Sequence, residues 1–259
     1  MNIVFTSLFF LLGLTVGSFL NCFIYRLNKK ESPLKGRSFC PRCKHELGTK
    51  DLVPVLSFLF LKGKCRYCSK KISFQYPLVE LFFGFLFAFL LNYKLNAFNF
   101  LNLIDFIYLV IIFCFFAIIF VYDLKHFLIL DKIVYPAIFI TLLYNLINIQ
   151  DLIYNHLPSA FGITAFFLII FLLSRGRWLG FGDVKLAFLL GLFLGFPQVL
   201  VAFFLSFFSG AIIGVILILF KKKKLKSEVP FAPFLIIGAF IAFFWGSQIL
   251  DWYLSLVLY

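Results

Sequence analysis

The chain alternates apolar stretches of about bilayer-spanning length with short polar links. These stretches lie at about 3–25, 76–93, 103–122, 127–147, 158–174, 184–196, 199–220 and 231–250. A helix crossing the hydrocarbon core takes roughly 20 apolar residues, because in lipid every backbone N–H and C=O must be satisfied within the segment. Hydrophobic residues make up 63% of the 259 and charged residues 14%, a balance that no water-soluble interior accommodates. A soluble enzyme, a disordered tail and a secreted disulfide scaffold are excluded. The expected fold is an all-α polytopic membrane protein with about eight transmembrane helices. Only Met1 and Asn2 precede the first stretch, which is too long for a signal-peptide core, so it is expected to be a retained span. The sixth is short, and Gly191, Gly195 and Pro197 suit a half-span or a tight external turn.

Charge then orients the spans. Lysine and arginine number 24 against 11 acids, and in a membrane protein they collect in cytoplasmic loops. With the N-terminus outside, the loop 26–75 holds thirteen of them, from Arg26 to Lys71. The other inside loops carry Lys125 and Lys132, then Arg175, Arg177 and Lys185, then the five lysines between Lys221 and Lys226. Together these loops hold 23 of the 24, and Lys94 alone lies on the opposite side. Both termini are therefore expected outside. The net charge of +13 reads as attraction to anionic membrane lipid, with the Lys221 to Lys226 run as an anchor, and implies no nucleic-acid partner.

The loop 26–75 is the segment long enough to fold in water. It carries Cys40-Pro41-Arg42-Cys43, then 21 residues, then Cys65-Arg66-Tyr67-Cys68. Two such knuckles can set four thiolates tetrahedrally around one Zn²⁺, leaving no open position, so the metal is expected to be structural. Two disulfides are the competing arrangement, but the charge count puts the loop in the reducing cytoplasm, where such bonds rarely persist. His45 is expected to be a solvated loop residue, and Cys22 and Cys114 to be buried thiols within spans.

Acids beside spans are costly and narrow the search for chemistry. Asp105, Asp151 and Asp251 sit near outer boundaries, where acids are ordinary, and Glu31, Glu46, Asp51 and Glu228 lie among basic residues as local partners. Asp123 closes the third span ahead of Leu124-Lys125-His126, and Asp183 follows Gly180-Phe181-Gly182 just before the sixth. Both then lie at one membrane face although 60 residues separate them. Paired carboxylates share a proton, so one can take a proton from water while the other protonates a departing amine. Against this stands a plain arrangement in which Asp183 caps the sixth helix and Asp123 pairs with Lys125. Asp131, at the start of the fourth span, rivals Asp123, although an N-cap role suffices for it. Glu80, about one turn into the second span, suits either a lysine-paired carboxylate or a functional one. The spacings Gly13/Gly17, Gly191/Gly195 and Gly210/Gly214 permit close helix packing. No phosphate loop, dinucleotide fingerprint or HExxH is present.

In this order the residues resemble the prepilin peptidases, or type IV leader peptidases, a family of intramembrane aspartyl proteases. The resemblance runs through Gly17-Ser18-Phe19-Leu20-Asn21, Tyr25-Arg26-Leu27, the first knuckle and Asp51-Leu52-Val53-Pro54. It continues with Gly63-Lys64 and the second knuckle, Tyr76-Pro77-Leu78-Val79-Glu80-Leu81, Asp123-Leu124-Lys125, Gly180-Phe181-Gly182-Asp183-Val184-Lys185 and Pro230-Phe231-Ala232-Pro233-Phe234. It implies an aspartic endopeptidase of the bacterial inner membrane with Asp123 and Asp183 as the catalytic pair. Its partners are prepilins and the pseudopilins of type II secretion, cut after a glycine at the end of a basic leader on the cytoplasmic side. It also implies N-methylation of the new terminus with S-adenosylmethionine as donor, by residues unassigned beyond the cytoplasmic loop and Glu80. The organisation expected is a first transmembrane helix over 1–27, a four-cysteine zinc loop over 28–75 and a peptidase core over 76–259. Leu130 stands where the family commonly has proline, and Ala232 where it has glycine; neither is a proposed catalytic carboxylate, so activity is expected to survive with helix entry or substrate fit altered. The alternatives are a polytopic transporter whose acids form an ion path, and an assembly partner of a secretion machine built around the zinc module.

Overall fold

A computed structural model describes residues 3–29, 36–94, 100–220 and 229–257. Met1, Asn2, Glu31, the Lys221 to Lys226 run and Glu228 lie outside the described residues. The described chain is helical, with two isolated β-bridges and no strand. Its helices are α1 (Ile3–Lys29), α2 (Leu56–Phe60), α3 (Gln75–Lys94), α4 (Phe100–His126), α5 (Asp131–Asn145), α6 (Ile149–Asp151), α7 (Leu157–Ser174), α8 (Phe181–Leu194), α9 (Gln198–Leu219) and α10 (Ala232–Val257).

Each of the eight apolar stretches falls on one of the longer helices, but among the described residues six helical runs are long and apolar enough to cross a membrane. Two features make the difference. The 44-residue run Asp131–Ser174 holds both α5 and α7, because α6 and a π-helical turn at Leu152–His156 carry the helix through the link. Helix α8 has 14 residues, about 21 Å at 1.5 Å per residue, against a hydrocarbon core of about 30 Å. Gly195, at φ 70°, stops it in a backbone region that side-chained residues rarely enter. The short sixth stretch is thus a short helix.

The chain divides into two compact units, Met1–Cys114 and Phe115–Tyr259, with the boundary inside α4. In the first, α1 packs along α3 on its glycines. A Cβ at Gly17 would stand 2.6 Å from the Glu80 Cα, and one at Gly13 would collide with the Phe83 carbonyl. Small residues at this spacing let two backbones touch, which in lipid supplies the van der Waals contact that holds helices together. Polar groups finish the end of the pair nearest the loop. The Asn21 amide donates to the Tyr76 carbonyl at 3.0 Å and accepts from Gln75 at 3.0 Å. Arg26, buried, donates to the Gly36 and Arg37 carbonyls at 2.9 and 3.0 Å, tying the loop to α1.

In the second unit α8 is the core element. Leu186, Ala187, Leu189, Leu190 and Leu192 have no exposed surface, with α7 and α5 packed beside them. Gly191 makes the closest approach, since a Cβ there would lie 2.5 Å from the Ala160 Cα of α7. Gly238 of α10 packs equally tightly on Ser206 and Ala202 of α9. Gly214, by contrast, faces open space and Gly210 leaves ordinary room to the Phe231 and Phe234 rings, so the Gly210/Gly214 spacing does not mark a close backbone approach as the other two do.

Candidate active site and candidate metal centre

Asp123 ends the apolar run of α4 and is 5% exposed, while Asp183 sits in the first turn of α8 and is 9% exposed. Burial of a carboxyl costs several kcal/mol unless it is partnered or kept neutral. The two are close enough to interact electrostatically across the fold. Asp183 is held by its own turn, its Oδ2 accepting the Gly180 N–H at 3.1 Å while the Asp183 N–H donates to the Gly180 carbonyl at 3.1 Å. Asp123 accepts from the backbone N–H of Ala232, and its Oδ2 is buried with no hydrogen-bond partner. One acid is thus fixed in orientation, and the other keeps a lone pair free inside the protein. Gly182 lets the two chain segments meet, since a Cβ there would stand 2.9 Å from Cβ of Ile129, in the link just past Asp123.

The plain arrangement is half realised. Asp183 does cap α8, but among the described residues no ion pair joins Asp123 to Lys125. Asp131 separates cleanly from Asp123. Leu130, not Asp131, is the N-cap of α5, and Asp131 is exposed and bound to Lys185 Nζ at 2.6 Å. That lysine also lies over the Tyr135 and Phe181 rings, at 5.3 and 4.9 Å. Among the described residues Glu80 pairs with no lysine: its Oε2 accepts the Val55 N–H at 2.8 Å, and Ser18 bonds it too. Val55 is held at φ 61°, costly for a β-branched residue, so this bond fastens a strained turn of the loop to α3. Ala232 touches a carboxyl through its backbone N–H, a contact indifferent to the side chain and invisible in the sequence.

The two knuckles share one hydrogen-bond pattern offset by 25 residues. Cys40 N–H donates to the His45 carbonyl and Lys44 N–H to the Cys40 carbonyl; Cys65 N–H donates to Lys70 and Ser69 N–H to Cys65, all at 2.9 Å. Lys44 and Ser69, each just after its second cysteine, both take positive φ. The sulfurs of Cys40, Cys43, Cys65 and Cys68 lie within 4.8 Å of one another, and none is in a disulfide. Burial raises the Cys40 thiol, but the N–H groups of Cys43 and Arg42 outweigh it and bring it down to about 7. Cys65 is pushed up, first by burial and then by hydrogen bonding with Cys40 and Cys68. Thiols this close cannot all ionise without a cation among them, so the donor set fits a metal ion. Asp51 braces the pair from the side, accepting from Arg66 Nε at 2.7 Å, the Tyr67 hydroxyl at 3.2 Å and the Gly48 N–H at 3.3 Å. Burial would raise its carboxyl, but these donors, Arg66 foremost, hold it below the usual range. His45 is exposed and stacks on the Tyr67 ring, 3.7 Å between centroids, outside the ligand set.

Known proteins match both units. The Bacterial Peptidase A24 N-terminal domain matches residues 11–93, and the Type IV leader peptidase family matches residues 108–215. A "Prepilin leader peptidase/N-methyltransferase" of Aeromonas salmonicida (strain A449) is 31% identical over 97% of this chain and 94% of its own length. Relatives of the same name in Bacillus subtilis (strain 168) and Legionella pneumophila are 32% and 31% identical, covering 97% and 95% of this chain and 99% and 93% of their own lengths. No solved structure matches. With the whole chain accounted for in order, from the α1/α3 unit with its cysteine loop to the unit carrying both buried aspartates, this protein belongs to the type IV leader peptidase family.

Proposed function

We propose that this chain is a prepilin peptidase in which Asp123 and Asp183 are the catalytic pair. The observation that carries the reading is the pairing itself: two buried, interacting carboxyl groups, one with an unpartnered oxygen, while the rival Asp131 is exposed and neutralised. The unprotonated carboxylate takes a proton from water as the water oxygen attacks the scissile carbonyl. The protonated partner gives its proton to the amide nitrogen as the C–N bond breaks, so the pair ends with its proton exchanged between the two groups. A coupled pair of this kind titrates as a unit.

The substrates are prepilins and pseudopilins, cut after the glycine that ends a basic leader. The apolar helix of the substrate stays in the bilayer and the leader lies at the inner face. This agrees with the placement of 23 of 24 basic residues in one set of loops, with both termini outside the inner membrane. Residues 1–27 serve as the first transmembrane helix, 28–75 as the cysteine loop and 76–259 as the peptidase core. In that loop Cys40, Cys43, Cys65 and Cys68 hold a structural Zn²⁺, whose four positions they fill. The relatives' names support a second activity, methylation of the new N-terminus from S-adenosylmethionine. A transporter is disfavoured because Glu80, Asp123 and Asp183 all lie near helix ends, away from the mid-bilayer positions of an ion path.

Purified protein in detergent is expected to trim a prepilin, and Asp123→Asn and Asp183→Asn each to abolish trimming with melting behaviour unchanged. Normal trimming by both variants rejects the pair. Mass spectrometry of the product made with S-adenosylmethionine reads the second activity as one added methyl group; an active peptidase giving an unmethylated terminus limits the enzyme to proteolysis.

A further inference from the structure

The end of α8 opposite Asp183 carries a polar cluster that the proposed chemistry does not use. The Leu192 carbonyl, one of the last four of α8 and so without a partner inside the helix, receives two donors from outside it. Asn145 Nδ2 of α5 donates to it at 2.8 Å. His156 Nδ1, from the π-helical turn before α7, stands 2.7 Å from the same oxygen. The other ring nitrogen, Nε2, stands 3.1 Å from Asp151 Oδ2. Asp151 is held in turn by the Asn155 amide on its Oδ1, and its N–H donates to Asn148 Oδ1. The imidazole packs against Gly195, where a Cβ would lie 3.2 Å from its Cε1.

The ring therefore bridges two elements, one nitrogen against the end of α8 and the other against the Asp151 carboxyl. Helix α5 adds the Asn145 amide to the same carbonyl, and Gly195 leaves the room in which the ring sits.

We propose that His156, bridging Asp151 and the Leu192 carbonyl, is a positioning residue that sets the axial register of α8 and hence the placement of Asp183. Nine residues, about 14 Å of helical rise, separate Leu192 from Asp183. Apolar packing around α8 is non-directional and holds it laterally, whereas two hydrogen bonds on one terminal carbonyl fix its depth and rotation. Loss of either donor leaves that carbonyl short of a partner and loosens α8.

The inference rests on the peptidase reading for its activity arm, so its test has a second arm that does not. In the first arm, purified full-length protein in detergent trims a prepilin. His156→Ala, which removes the ring from both partners, is expected to be about fivefold slower in kcat, the effect of roughly one hydrogen bond, with KM unchanged, and Asn145→Ala to be slowed likewise. His156→Gln, which keeps a donor, should recover part of the loss. In the second arm, the carbon-13 carboxyl resonance of Asp183 should shift in His156→Ala and in Asn145→Ala and move back towards its wild-type position in His156→Gln. An Asp183 resonance unchanged in His156→Ala, or a loss carried by KM alone, overturns the proposal. If no chain trims a prepilin, the peptidase reading fails, and the Asp183 resonance still decides the clamp.

Discussion

The acids show how little a residue's type says about its work until its partners are known. Asp123, Asp131 and Asp183 read alike in the chain, yet one keeps a bare buried oxygen, one is locked to Lys185 and one is fixed by the Gly180 N–H. Asp51 was legible as a local partner in a basic loop, and Arg66 proved to be that partner. Its carboxyl lies below the usual range, so the stabilisation it gives the loop is fully present at neutral pH and is lost as pH falls through that depressed folded-state value. Asp51→Asn should therefore lose bound metal faster than wild type under a chelator at pH 7, and the gap between the two should close in strong acid. An equal rate at pH 7 would leave the Arg66 contact without a part in holding the knuckles. Glu80 was legible as unusual, but its bond to Val55 depends on a turn at φ 61° that no sequence pattern announces.

At the scale of the element, glycine spacing identified three candidate helix contacts, of which two are used. Gly13 and Gly17 seat α1 on α3, and Gly191 seats α8 on α7, while Gly214 faces open space. The spacing states only that a face is narrow, and whether another backbone lies there is a property of the fold. Gly191→Val should destabilise the protein by about 1–3 kcal/mol through overpacking and lower trimming, because α8 must move off Ala160. Gly214→Ala should lie within about 0.5 kcal/mol of wild type. Thermal unfolding in detergent measures both, and a stable Gly191→Val would contradict the close approach. The helices themselves were legible from apolar length, but the continuity from α5 to α7 was not, because it depends on the turns over Leu146–His156 keeping helical geometry through a polar link.

Over the whole molecule, the two compact units divide the tasks, one bearing the cysteine cluster and Glu80, the other both aspartates. Metal analysis of the purified chain should find about one Zn²⁺ per chain, lost when Cys40 and Cys65 are both replaced by serine. Because the second unit contains neither knuckle, peptide cleavage by that variant should fall less than in Asp183→Asn. Zinc retained after the double replacement would reject the four-cysteine site.

The sequence by itself determined the class of protein, the eight apolar helices, the loops in which charge collects and the residue types able to bind metal or exchange protons. These follow from composition and local spacing, since lipid rewards apolar length and a CxxC turn is made within a few residues. Only the tertiary structure chose among equals. It brought Asp183 to Asp123 across 60 residues, gave Asp131 to a lysine, put the Ala232 N–H on Asp123 and closed His156 onto the far end of α8. Each of those choices is a contact between distant segments, and such contacts depend on how helices pack, which no local pattern encodes.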